Sequence, residues 1–251
     1  MALFNIRFLS KSLLRKTEVR LIIPSLDLHG AVQNENPDYY CQDTRTYPLL
    51  ILLSGFGDDN ETWIAHTDIL TLCDRYRVAA AFVAGEDKWY VDGSPVDRWH
   101  TYITAELPDF LCGTFSKLDR RRLILGGVSM GGYGALYNGL KCPEKFQAVM
   151  ALSPAVKPDN YIREEETGTL RELFLSAKGK IPPVYLSVGE DDFIYAASRE
   201  LDGWLRENGT GVRYTFVKGY SHSWDLWKLE IVRFLDFLKA KRIISCGGNA
   251  E

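Results

Sequence analysis

Leu125-Gly126-Gly127-Val128-Ser129-Met130-Gly131-Gly132-Tyr133-Gly134-Ala135-Leu136 is the stretch on which the fold turns. It carries the pattern G-x-S-x-G between an apolar run, Arg122 to Val128, and a helix-compatible stretch, Met130 to Leu140. A strand, a sharp turn and a helix in that order form a nucleophile elbow. The turn lifts a serine out of the backbone, and flanking glycines let neighbouring chain come close enough for the turn to close. Ser129 is the candidate nucleophile. The five-residue pattern gains its meaning from this placement, since short motifs of Gly and Ser also arise by chance.

Outward from the elbow, short apolar runs bounded by Gly, Pro or charged residues recur at Tyr47 to Leu53, Val78 to Val83, Leu123 to Val128, Ala148 to Leu152, Val184 to Val188 and Arg213 to Val217. Such runs read as strands buried on both faces. Glu18 to Ile23 alternates and β-branches like a strand ended by Pro24, and Asn5 to Leu9 is placed to pair with it as an edge hairpin. Helices are expected at Asn60 to Cys73, Tyr102 to Phe115, Met130 to Leu140, Ala196 to Glu207 and Trp224 to Leu238. This βαβ alternation predicts an α/β fold with a mostly parallel, doubly covered sheet. Chemistry in such folds collects at the carboxyl ends of the strands, here just after Leu53, Val128, Val188 and Val217.

The chain of 251 residues is long enough for one large core, and one domain is expected over residues 1–244, with 245–251 a flexible tail. A net charge of −3 gives no electrostatic basis for nucleic-acid binding, so a small-molecule ligand is expected. Five cysteines, an odd count without close pairing, fit reduced thiols better than a disulfide framework. Arg7, Lys11, Arg15 and Lys16 interrupt the apolar residues of the N-terminus, and no later run is long enough to span a bilayer. The expectation is a cytoplasmic protein with no membrane contact. Assembly as a homo-oligomer is compatible with these properties.

A serine hydroxyl is a poor nucleophile at neutral pH and needs a base within reach and an acid to orient that base. On an elbow of this kind the chain order is Ser, then Asp or Glu, then His. His29, His66 and His100 precede Ser129, which leaves His222, in the loop Gly219-Tyr220-Ser221-His222-Ser223-Trp224, as the base. The acid is expected after the run Val184 to Val188, where Glu190, Asp191 and Asp192 compete. Asp192 is favoured because Phe193 and Tyr195 would wall it from water, and Asp191 is the alternate. For the oxyanion, the backbone N–H of Met130 and that of Phe56, in Leu53-Ser54-Gly55-Phe56-Gly57, are the expected donors. This chemistry requires no metal and no cofactor.

With these residues in place, the chain resembles the esterase D family of α/β-hydrolases, which includes small intracellular tributyrin esterases and S-formylglutathione hydrolases. The resemblance rests on the Leu53-Ser54-Gly55 loop with Trp63, Trp89-Tyr90, Tyr102 to Pro108, the elbow, Gly189-Glu190-Asp191-Asp192-Phe193 and His222-Ser223-Trp224. It implies the α/β-hydrolase fold, a serine esterase acting through an acyl-enzyme, and a catalytic aspartate directly before the phenylalanine, which falls on Asp192. It also implies oxyanion donors on Phe56 and Met130. Ser54 departs from the histidine of many tributyrin esterases and matches the formylglutathione branch. Residues 155–180 fall where the family carries a cap, here short and charged. Trp89, Tyr90 and Trp224 are expected to line the substrate pocket, and their bulk, with the resemblance, implies short acyl chains of about two to six carbons. S-formylglutathione hydrolysis or acyl transfer is the alternative, and a catalytically silent binding module the remote one.

Overall fold

Alternating exposure along Ala2–Ser10 (β1) marks an edge strand, and its antiparallel pairing with Arg15–Ile23 (β2) opens the sheet. The computed structural model describes residues 1–25, 32, 44–156, 158 and 168–245. Tyr47–Leu53 (β3) and Ala79–Val83 (β4) are buried at every position, as strands covered on both faces must be. Asp92–Ser94 (β5) and Asp97–Arg98 (β6) form a separate small ribbon, too short to show in the sequence. Leu118–Val128 (β7), Phe146–Leu152 (β8), Val184–Gly189 (β9) and Tyr214–Val217 (β10) complete an eight-stranded sheet in the order β1-β2-β4-β3-β7-β8-β9-β10. β2 is antiparallel to both neighbours, and every other pairing in the eight-stranded sheet is parallel. This is the α/β-hydrolase arrangement.

Successive residues of each central strand go to opposite faces, and the core divides accordingly. Leu49, Ile51, Leu53, Leu123 and Leu125 pack on one side, with Leu107 and Leu111 of Leu107–Thr114, Tyr133 and Leu136 of Met130–Lys141, and Leu201 and Leu205 of Tyr195–Glu207. Leu50, Leu52, Ile124 and Val128 pack on the other, with Trp63 of Thr62–His66, Ile69 and Leu72 of Ile69–Arg75, and Ile231, Phe234 and Leu235 of Trp224–Ala240. Among the described residues the helices are, in chain order, α1 (Thr62–His66), α2 (Ile69–Arg75), α3 (Trp99–Thr101), α4 (Leu107–Thr114), α5 (Met130–Lys141), α6 (Leu170–Ser176), α7 (Tyr195–Glu207) and α8 (Trp224–Ala240).

Two helices differ from expectation for identifiable reasons. The single helix anticipated over Asn60 to Cys73 breaks at Thr67, which is extended; its hydroxyl bonds the Trp63 carbonyl and accepts from the Ile69 N–H, so the side chain ends α1 and starts α2. The helix anticipated from Tyr102 begins earlier, at Trp99, and passes through a π-helical turn at Tyr102–Glu106. Pro108 has no N–H to give the Thr104 carbonyl, and the Lys145 ammonium donates to it instead, at 3.1 Å. The turn carries Glu106 to the β1–β2 connection, where its carboxylate accepts from the Ser10 hydroxyl and from the Lys11 and Ser12 N–H groups at 2.6–2.9 Å. Burial pushes that carboxyl up, and these donors outweigh the effect and hold it below the usual range.

Within the stretch 155–180, residues 157 and 159–167 lie outside the described residues. The remainder contains α6, begun by a Thr169–Glu172 capping box and anchored by buried Leu170 and Phe174. This part is attached to the core on the α5 side. Of the expected tail, residues 246–251 lie outside the described residues. Cys73, Cys112 and Cys142 are free thiols, and Cys41 and Cys246 lie outside the described residues.

Candidate active site

The turns that follow β7, β9 and β10 each deliver one of the expected polar side chains to the carboxyl edge of the sheet. Ser129 sits directly after β7 at φ 54° and ψ −116°, a conformation that L residues seldom adopt. The turn is held from both sides. Its N–H donates to the Leu152 carbonyl at 2.9 Å, and its carbonyl accepts from Tyr133 at 3.0 Å and Ala155 at 3.2 Å. The flanking glycines are required by close approach: a Cβ on Gly127 would lie 2.2 Å from the Gly131 carbonyl oxygen, and one on Gly131 would lie 2.4 Å from that of Leu53. β7, α5 and the end of β3 therefore meet with no room for a side chain. Met130 opens α5, where the first N–H groups have no intrahelical acceptor.

The loop after β3 lies beside the serine, since a Cβ on Gly55 would be 3.7 Å from that of Ser129. The Ser54 N–H donates to the Val83 carbonyl and its hydroxyl to the Asp59 carbonyl, and the Gly57 N–H donates to Asp87 Oδ1 at 2.7 Å. Phe56 lies between these anchored positions, with its side chain largely exposed. Asp58, on the same loop, has its carboxyl raised by burial and by the charges of Asp59 and Asp87, against the opposing Gly55 N–H and His66.

Of the three competing carboxylates, Glu190 and Asp191 are exposed and Asp192 is buried. His222 Nδ1 lies 3.0 Å from each Asp192 carboxylate oxygen. With Nδ1–H donating to the carboxylate, the neutral ring presents its lone pair on Nε2. Burial pushes the Asp192 carboxyl up. The His222 hydrogen bond, the Ile194 N–H, the histidine's charge and the Ser153 hydroxyl together outweigh burial and hold it below the usual carboxylate range. The two loops are stitched together: the Asp191 N–H donates to the Tyr220 carbonyl at 3.0 Å, and a Cβ on Gly189 would strike that oxygen at 2.0 Å. Among the described residues the Asp192–His222 contact is formed, and Ser129 Oγ has no hydrogen bond to His222.

The aromatic residues take other places than the sequence suggested. Phe193 is 79% exposed and its ring lies 4.5 Å from that of His222, and Tyr195 turns to Phe216. Neither walls Asp192. The side chains against it are His222 and Ser153, and the Trp227 N–H bonds the Ser153 hydroxyl at 3.1 Å. Ser153 had no signal in the sequence beyond following a buried strand. Tyr90 has no exposed surface; its hydroxyl donates to the Ser54 and Val83 carbonyls, and its ring fills the space left by Gly85 and Gly134. It braces the loop after β3 from beneath and does not line an open pocket. Trp89 packs edge-on against Tyr133 in the first turn of α5, and Trp224 lies partly exposed between His66, Trp63 and Trp227.

Among the described residues no helix is long and apolar enough to cross a membrane, and no group of three His, Cys, Asp or Glu side chains is arranged to hold a metal ion. A family model described as "Putative esterase" matches residues 24–238. An acetyl esterase of Caldicellulosiruptor saccharolyticus is 29% identical over 95% of this chain and 98% of its own. An S-formylglutathione hydrolase of Paracoccus denitrificans (strain Pd 1222) is 28% identical over 70% of this chain and 76% of its own. Among solved structures, the fluorophosphonate-binding serine hydrolase FphF of Staphylococcus aureus superposes with a TM-score of 0.80 at 21% identity, covering 94% of this chain and 98% of that one. The S-formylglutathione hydrolase FrmB of the same organism gives a TM-score of 0.78 at 20% identity, with the same coverage.

Proposed function

The chain belongs to the Esterase family, and from that premise we propose that it is a serine esterase that hydrolyses short-chain acyl esters through Ser129, His222 and Asp192. The observation that carries the reading is the contact of His222 Nδ1 with the buried Asp192 carboxylate, on turns beside the strained Ser129 elbow. Ser129 Oγ attacks the ester carbonyl while His222 Nε2 takes its proton, and Asp192 keeps the imidazole in the required tautomer and stabilises its charged form. The Ser129–His222 hydrogen bond closes when substrate fills the site, since catalytic hydrogen bonds are often long in unliganded enzymes. The N–H groups of Met130 and Phe56 receive the oxyanion. Collapse of the tetrahedral intermediate breaks the ester C–O bond; His222 returns its proton to the leaving alcohol, then deprotonates the water that releases the acyl group.

Asp192→Asn is expected to lower kcat by about 10³- to 10⁴-fold, because the amide favours the wrong tautomer of His222. Asp191→Asn is expected to stay within about threefold of the parent, as an exposed surface substitution away from the imidazole. Steady-state hydrolysis of p-nitrophenyl butyrate by the two variants checks this. Equal losses in both would assign the acid elsewhere on the loop.

The acyl group is read as short from the likeness to an acetyl esterase. The likeness to S-formylglutathione hydrolases keeps a glutathione thioester as the second reading. Asp58, Asp59 and Asp87 favour the neutral ester: they surround the loop beside Ser129, and none pairs with Lys or Arg among the described residues. Glutathione conjugates carry a net negative charge, which such a rim repels. Comparing p-nitrophenyl acetate, butyrate and octanoate with S-formylglutathione tests the assignment. The expected order of kcat/KM places acetate and butyrate at least tenfold above octanoate and above the thioester. Preference for octanoate would refute the short pocket, and preference for S-formylglutathione would transfer the assignment to the second reading.

A further inference from the structure

Single exposed apolar side chains are ordinary, but among the described residues only two Phe, Tyr or Trp side chains are exposed, and both adjoin the site. Phe56, 55% exposed, stands on the loop beside Ser129, and Phe193, 79% exposed, directly follows Asp192. The position of Phe193 is fixed by the bonds around it. The Asp192 N–H donates to the Gly189 carbonyl at 3.3 Å, the Tyr195 N–H to the Asp192 carbonyl at 2.9 Å, and the Ile194 N–H to Asp192 Oδ1 at 3.0 Å. The carboxylate in contact with His222 thus also closes the turn that carries Phe193. Among the described residues two aromatic rings adjoin the imidazole: Trp227 stands edge-on with centroids 5.0 Å apart, and Phe193 is tilted by 46° at 4.5 Å. Trp227 is buried, so the open aromatic surface beside the imidazole belongs to Phe193.

We propose that Phe193 is a specificity-determining residue that receives the alcohol half of the ester and favours uncharged aromatic alcohols. The proposal rests on the Ser129–His222–Asp192 reading above. With Nδ1 held by Asp192, the imidazole moves protons at Nε2, first from Ser129 and then to the leaving oxygen. That oxygen must come within about 3 Å of Nε2 to be protonated. The group it carries then lies beside the imidazole and its open neighbour Phe193, whereas the acyl substituent is carried on the carbon bonded to Ser129. A flat apolar face there gains more from a second aromatic ring, by offset or edge contact, than from a short alkyl group. Glu190 and Asp191 are exposed on the same loop and disfavour an anionic alcohol. The ring acts only while the alcohol is attached, so it assists acylation and leaves hydrolysis of the acyl-enzyme unchanged.

Benzyl acetate and ethyl acetate share an acyl group and have alcohols of similar acidity, so a change in their relative kcat/KM reports recognition of the alcohol. Phe193→Ala is expected to lower kcat/KM for benzyl acetate about 5- to 10-fold and to leave ethyl acetate within about twofold. The ratio of ethyl butyrate to ethyl acetate should keep its parent value, and Tm should stay within about 2 °C, as for an exposed substitution. Phe193→Tyr, which keeps the ring, should retain the benzyl preference, and Phe193→Leu should lose it. Equal losses on benzyl and ethyl acetate in Phe193→Ala would overturn the proposal and make the ring a support for the imidazole. A changed butyrate-to-acetate ratio with the benzyl preference intact would also overturn it, by placing Phe193 on the acyl side. Parent values for both pairs of esters would remove Phe193 from substrate recognition altogether. Parent-like turnover of both acetates by Ser129→Ala would instead overturn the triad reading on which the proposal rests.

Discussion

Ser129→Ala is expected to lower p-nitrophenyl butyrate turnover by about 10⁴-fold or more, leaving only the catalysis that binding and the oxyanion donors supply without a nucleophile. Circular dichroism and Tm should remain close to those of the parent, since alanine has the same backbone restrictions at φ 54°. Ser129→Gly should be equally inactive but more stable, because glycine enters the region of positive φ without the cost of about 1–3 kcal/mol that a side chain incurs there. For a chain of this size each kcal/mol corresponds to about 2–4 °C in Tm. A stable, inactive glycine variant beside an inactive alanine variant would show that the elbow stores strain that the fold supports only to present the hydroxyl. Retained activity in either variant would remove Ser129 from the mechanism.

Gly131→Ala should have a comparably large effect for a different reason. Its methyl group would lie 2.4 Å from the Leu53 carbonyl oxygen and 2.6 Å from that of Ser54, and both are backbone atoms that no rotamer change can move. Relief requires α5 to separate from the loop after β3, and that loop carries the Phe56 N–H. The expected result is a loss of about 3 kcal/mol or more, with a drop in kcat in the fraction that folds, because the two proposed oxyanion donors, on Phe56 and Met130, would be moved apart. Gly203→Ala, in the middle of α7 with nothing within 4 Å of the added carbon, is the control and should be stabilising by about 0.5–1 kcal/mol. Urea unfolding of the two variants in parallel separates close approach from helix propensity. Gly131→Ala with parent stability and activity would contradict the reading of the elbow as a closed-packed junction.

The parts of the fold that were legible in the sequence are those in which local pattern and tertiary burial agree. Tyr47–Leu53 is apolar because both faces of β3 are covered, and its limits follow from that alone. The order of Ser129, Asp192 and His222 along the chain follows from strand order in the sheet, with the three turns after β7, β9 and β10 at one edge. Illegible were features set by single side chains reaching the backbone. Thr67 splits a helix with a hydroxyl, and Pro108 widens a turn by lacking an N–H. Helix α6 is short and adjoins a charged stretch, and only the burial of Leu170 and Phe174 shows its anchored side. Tyr90 looked like a pocket residue from its position after β4; the vacant Cβ sites of Gly85 and Gly134 take its ring into the core instead. Ser153 and Trp227 are 74 positions apart, and their bond depends on a left-handed backbone at a serine, which no pattern in the sequence announces.

The most direct test is to find where the acyl group resides during turnover. The protein is reacted with p-nitrophenyl acetate, quenched in acid within the burst phase and digested, and the acetylated peptide is sequenced by mass spectrometry, with a fluorophosphonate probe in parallel. The expected result is one stoichiometric adduct of each reagent on the Ser129 hydroxyl, with both absent in Ser129→Ala. An adduct on another residue, or stoichiometric labelling that persists in Ser129→Ala, would contradict the assignment of Ser129 as the nucleophile.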